Sequence, residues 1–258
     1  MRTRAPVRPV IAVPAVAAGG VVTWAAWGGV GWRLLAGTVG VYLCAKAAAI
    51  LGPERAGLRA MSWHRRIRYL IVWPGFVSRP LWDRRPDDAG VGERWIRSGM
   101  PWILVGVVVL SALALSSATG EVAAWSAIAG LLATVHLGAM DVLSGLMRRL
   151  GHPVARAFTA PWAATSLGDF WTRRWNRPFV EMDRVVFLPL LAWLPPRTAR
   201  FGVFLISGVL HELAISFPAG AGWGLPLAYF TGHALLVGVE RTVRIDRWPV
   251  GVARMWTW

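Results

Sequence analysis

The sequence predicts an all-α membrane protein with about six transmembrane helices plus interfacial or re-entrant helices. Three observations predict it. Apolar residues make up 55% of the 258-residue chain and charged residues 16%, well under the roughly 25% of an ordinary soluble domain. Several apolar stretches reach the ~20 residues that cross a bilayer. The basic residues cluster between those stretches. A soluble globular enzyme and a disordered chain are excluded. A disulfide scaffold is excluded too, because Cys44 is the only cysteine.

The six predicted spans are Pro9–Gly31, Leu34–Gly52, Met100–Ala118, Val122–Met147, Phe201–Phe217 and Gly224–Val239. The first is long and rich in Trp, and reads as a retained span rather than a cleaved leader. Arg2/Arg4/Arg8, Arg55–Arg97, Arg148–Arg200 and Arg241–Arg254 alternate with nearly charge-free connections at Gly31–Arg33, Thr119–Glu121 and Pro218–Trp223. Six crossings put every basic segment on one face. The positive-inside rule then places both termini in the cytoplasm, in a cell-membrane protein.

Net charge is +15, and Lys46 is the only lysine among 28 basic residues. Clustered between spans, these arginines suit anionic lipid better than nucleic acid. No nucleic-acid motif is present, so no such partner is expected.

Two segments are not simple spans. Arg59–Val72 mixes Arg with Trp, Tyr and Ile and reads as a helix in the cytoplasmic interface, ended by Trp73-Pro74-Gly75. Val185–Leu194 is apolar but too short to cross, which suits a re-entrant or interfacial piece. With no repeat and no separate soluble region, residues 1–258 read as a single integral-membrane domain.

Ser166–Asn176, SLGDFWTRRWN, is the central motif. Ser166 and Asp169 make a capping-box-like helix start, and Pro178 ends or kinks the helix. On a continuous helix Asp169, Arg173 and Asn176 share one face, with Asp169 pairing Arg173. Trp171 and Trp175 then stack on another face. Arg173, Arg174 and Arg177 add positive charge at the boundary. From composition alone, an amphipathic helix anchored by Trp and Arg is an equally open reading.

His211-Glu212 lies ten residues into its predicted span, ~15 Å deep at ~1.5 Å per residue. Ionisable residues at that depth mark functional sites by default, although a neighbouring helix can also satisfy such a histidine. Ser207 is one turn before His211, and Gly208 leaves room for close approach. His136 and Asp141 sit about 140° apart on the fourth span. His233 and Glu240 share a face of the sixth and read as structural or supporting. Lys46 reads as a snorkelling cation, His64 and His152 as solvated, and Cys44 as core. No paired His or Cys spacing suggests a metal or haem site.

The runs Arg68–Gly75 (RYLIVWPG), His136–Asp141 (HLGAMD), SLGDFWTRRWN, Ser207–Glu212 (SGVLHE) and Gly224–Phe230 together resemble the membrane-bound O-acyltransferase superfamily. They are most similar to its wax synthase-like branch. The resemblance is clearest over residues 68–240. It implies acyl-CoA-dependent transfer of a fatty acyl group to a lipophilic hydroxyl, with acyl-CoA as co-substrate and no cofactor. Relatives usually continue beyond the position of Trp258 into another apolar segment, so the chain reads either as a shorter member or as one incomplete at its C-terminus.

The family's histidine matches His211 and its asparagine matches Asn176. A neutral imidazole suits the role of general base, and an amide N–H can serve the oxyanion or orient the acceptor. Asp169, Glu212, His136 and Ser207 are expected to orient these groups, and Arg173, Arg174 and Arg177 to hold acyl-CoA or lipid phosphates. Two other classes fit the intramembrane His and Glu less well. One is a transporter or channel, for which no paired halves are seen; the other is a non-catalytic membrane subunit.

Overall fold

The computed structural model describes residues 29–83, 85–86 and 90–258. The predicted span Pro9–Gly31 and the Arg2/Arg4/Arg8 cluster lie almost wholly outside the described residues. Among the described residues four helices are long and apolar enough to cross a membrane: α1 (Val30–Leu51), α2 (Val91–Leu115), α3 (Gly120–Arg149) and α4 (Pro196–Ala219). After α4 come α5 (Leu225–Val243) and the shorter α6 (Val250–Thr257). Among the described residues no strand is present.

Boundaries differ from the hydropathy reading in three places, and at the largest of them α2 starts at Val91, nine residues before the expected Met100. α1 begins at Val30 and runs through the expected connection Gly31–Arg33, because Arg33 N donates to Gly29 O and the helix tolerates one arginine near its start. α4 starts at Pro196, before Phe201. Proline at a helix start gives up a donor that has no partner there anyway. His211 remains inside the helix, about 22 Å from its start at ~1.5 Å per residue.

Small residues let the helices approach closely. On α2, Gly92, Gly99 and Gly106 are buried at seven-residue intervals and face Gly145, Gly138 and Gly130 of α3. A Cβ on Gly99 would lie 2.6 Å from Gly138 O, and one on Gly145 2.5 Å from Gly92 O. The α2–α3 hairpin therefore closes backbone on backbone, as helices in lipid commonly do. In α4, a Cβ on Gly208 would meet Leu227 Cα of α5 at 2.9 Å.

Five stretches wind as π-helix: Arg68–Val72, Leu132–Ala139, Phe170–Arg174, Asp183–Phe187 and Glu212–Ser216. Their i→i+5 bonds include Trp73 N to Arg68 O at 2.7 Å and Trp175 N to Phe170 O at 2.9 Å. Such wide turns collect at functional sites, and here four of them fall on the motifs singled out above.

The Trp73–Ser78 segment is clamped by residues distant in sequence. Lys46 Nζ donates to Trp73 O at 3.2 Å and to Gly75 O, and sits 3.7 Å from the Tyr69 ring centre. Tyr69 donates to Phe76 O, while Glu181 Oε2 accepts from Phe76 N and Val77 N, and Glu54 Oε2 from Ser78 N. Lys46 is thus only 2% exposed and does not snorkel, because three backbone and ring acceptors close around it. His152 is likewise not solvated. It is 1% exposed, with Nε2 2.9 Å from Arg68 Nη1. His64 is exposed, and Cys44 is only partly buried. The interfacial piece does end at Trp73-Pro74-Gly75, but Tyr69 and Trp73 turn inward with Met61, Leu81 and Met147.

Candidate active site

The motif helix begins as its sequence predicts. Ser166 Oγ accepts from Asp169 N at 2.8 Å. Its register then departs from a continuous α-helix. Leu167–Asp169 passes into the π-helical Phe170–Arg174, and Trp175 is extended. Asn176 adopts a left-handed backbone at φ 44° and ψ 60°. It does not share a face with Asp169 and Arg173 but starts the next helix, Arg177–Met182, whose first turn carries Pro178.

The Trp171–Trp175 stack does not form, because the widened turn separates the two rings. Trp175 stacks on Phe170 at 5.4 Å and on His136 at 6.0 Å. Trp171 packs against Phe204 and Phe230 and donates from Nε1 to His233 Nδ1 at 3.0 Å.

The predicted Asp169–Arg173 pair is present, at 3.1 Å. Arg174 also binds Asp169 and reaches Ala160 O. Arg173 stays 75% exposed. Arg177 has a buried Nε without a hydrogen-bond acceptor.

His211 and Asn176 are each tied at one end to backbone. His211 Nδ1 lies 2.7 Å from Ser207 O. As an N–H donor there, Nδ1 leaves the neutral ring's lone pair on Nε2. Ser207 acts through its carbonyl rather than its hydroxyl. Asn176 Oδ1 accepts from Phe179 N at 3.3 Å, capping the helix, which leaves its amide N–H donors unspent. Phe179 links the two. Its N–H holds Asn176, and its ring centre is 6.3 Å from that of His211. Phe230 covers the imidazole from α5 at 4.5 Å.

Two glutamates tie these elements together, and sequence reasoning gave them minor roles. Glu212 Oε1 accepts from Gly224 N and Leu227 N, capping α5, while Oε2 is buried without a donor. Glu240, at the far end of α5, accepts from Leu167 N, Gly168 N (2.9 Å) and Trp256 Nε1 (3.0 Å). The seven-residue spacing from His233 to Glu240 was the available signal, since both grip the motif helix. His136 stands apart from His211, beside Phe158 and Trp175, with Nδ1 buried and unpartnered. Asp141 is taken by Arg156, which also bonds Ser98.

Burial raises Glu181 above the usual carboxylate range, against the opposing pull of the Val77 and Phe76 N–H groups. Asp183, one turn beyond Phe179, is pushed up to about 8 by burial, and its Oδ1 lacks a donor. Among the described residues no group of three His, Cys, Asp or Glu side chains is placed to hold a metal ion.

Residues 154–231, from the segment before the motif helix to the start of α5, match the membrane bound O-acyl transferase family. Over those residues, under a third of its length, the chain is similar to that family. It is 30% identical over 120 residues to a probable long-chain-alcohol O-fatty-acyltransferase 6 of Arabidopsis thaliana, covering 40% of this chain and 34% of the relative. It is 44% identical over 64 residues to an acyl-CoA–sterol O-acyltransferase 1 of the same plant, covering 22% and 19%. An acetyltransferase of Arthrinium sp is 30% identical over 164 residues, covering 59% and 33%. The chain thus spans about a third or less of the length of these relatives.

Proposed function

We propose that this chain catalyses acyl-CoA-dependent O-acylation of a lipophilic alcohol, a long-chain alcohol being the acceptor class named in its plant relatives. One observation carries the reading: backbone tethers on His211 and Asn176 leave a lone pair on one and N–H donors on the other, on either side of Phe179.

In this mechanism His211 Nε2 takes the acceptor's hydroxyl proton as its oxygen attacks the thioester carbonyl. The carbonyl oxygen becomes an oxyanion, and an Asn176 amide N–H donates to it. Collapse breaks the C–S bond, releases the ester, and returns the proton from His211 to the coenzyme A thiolate. No covalent acyl-enzyme is required.

Arg173 and Arg177 meet the donor's phosphates from the cytoplasmic side. Arg174, held by Asp169 and Ala160 O, braces the motif helix instead. Glu212 fixes α5, and with it Phe230, against the imidazole. Both termini face the cytoplasm of the cell membrane, in keeping with the arginine-rich segments.

The test is acyl transfer by the purified protein from radiolabelled palmitoyl-CoA to hexadecanol. His211→Ala is expected to lose 10²–10⁴-fold in turnover. Retention of more than about half the wild-type rate at equal folded protein would remove His211 as the base.

A further inference from the structure

Five arginines lie between Arg55 and Arg68, and they fall into two groups. Arg65 donates to Trp82 O, Arg66 to Met61 O and Arg59 O, and Arg68 contacts His152. These three guanidiniums are spent on the protein. Arg55 and Arg59 are exposed, and neither side chain has a hydrogen bond or ion pair within the described residues. Together with Gly52, Pro53 and Ala56 they line an open, shallow basin.

The two arginines stand at i and i+4 on the single helix Arg55–Ala60, where like charges repel each other. Among the described residues no carboxylate pairs with them. The adjacent Glu54 turns Oε2 to Ser78 N. The basin opens at the end of α1, immediately after the apolar stretch that ends at Leu51. Further along the same interfacial segment Trp63 and Ile71 are 68% and 78% exposed, an aromatic and an aliphatic side chain of the kind that sit at headgroup depth.

We infer that this basin binds the phosphate of an anionic membrane phospholipid, with Arg55 and Arg59 gripping it from the same helix face. Guanidinium suits phosphate because its planar fork donates two parallel N–H bonds. Membrane depth favours a lipid over a soluble anion, because Gly52 and Pro53 of the basin directly follow the membrane-spanning helix that ends at Leu51. The inference does not depend on the acyl-transfer reading.

The experiment uses the full chain in phosphatidylcholine nanodiscs, titrated with dihexanoyl phosphatidylglycerol or dihexanoyl phosphatidylcholine while tryptophan fluorescence is followed. Phosphatidylglycerol is expected to bind at least tenfold more tightly. Each of Arg55→Gln and Arg59→Gln should weaken it roughly fivefold, and the pair roughly 25-fold. The exposed pair Arg197→Gln/Arg200→Gln, with the same change in charge, should leave it unaltered.

Equal binding of the two lipids overturns the inference, as does wild-type affinity in the Arg55/Arg59 double variant. An equal loss in the Arg197/Arg200 control reduces the effect to diffuse charge and also overturns it. So does displacement by coenzyme A or by inorganic phosphate at the same concentration, which would assign the basin to a soluble anion.

Discussion

Asn176 offers the sharpest test of the site, because its two chemical ends do different work. The carboxamide oxygen caps Arg177–Met182 through Phe179 N, and the backbone is left-handed at φ 44°. Alanine removes the cap, at a cost of about 0.5–2 kcal/mol. Asn176→Ala should therefore lose about 0.5–2 kcal/mol of folding stability, and its activity would report folding and chemistry together.

Asn176→Asp separates the two. Aspartate keeps an acceptor for Phe179 N, tolerates the left-handed backbone, and gains a favourable charge at a helix start. It has no N–H to offer. If Asn176 serves the oxyanion, kcat should fall 10²–10³-fold, about 2.7–4 kcal/mol, with little change in either KM. The assay is turnover per folded molecule, with the folded fraction taken from size-exclusion chromatography in detergent. Wild-type turnover in well-folded Asn176→Asp would refute the donor role and leave Asn176 as a cap alone.

Neutralising Arg173 and Arg177 to Gln should raise KM for acyl-CoA and flatten its salt dependence. A change confined to the alcohol's KM would contradict the placement of the donor. Gly99→Val should destabilise the α2–α3 hairpin by overpacking, with a lower melting temperature in detergent, since a Cβ there would lie 2.6 Å from Gly138 O. A melting temperature equal to wild type would mean that the two helices can separate without cost. Asp183→Asn should stabilise the protein more at pH 8.5 than at pH 4. Burial raises the folded carboxyl to about 8, so between ~4 and 8 the native state binds more protons than the unfolded one. Stability from this group is therefore lost as pH rises through that window. Thermal melts across pH, showing the same difference between variant and wild type throughout, would count against it.

The amino-acid sequence alone determined that this chain belongs in a membrane, and where most of its long helices run. Length and apolarity decide that locally, residue by residue, without any knowledge of neighbours. It also pointed to His211 and the SLGDFWTRRWN motif, because an ionisable residue inside an apolar stretch and a dense aromatic–arginine string are themselves unusual.

What only the tertiary structure decided is which end of each polar group is free. Asn176 left the face predicted for it because a π-helical turn widened the helix before it, and no residue spacing encodes that widening. Lys46 reads as a surface cation until Trp73 and Gly75, nearly thirty residues away, fold their carbonyls onto it. Glu240 and Glu212 looked incidental because their partners are helix-start N–H groups, which every sequence contains and none advertises. A hydrogen bond requires a partner within about 3 Å, and which partner arrives there depends on chain segments far apart in sequence.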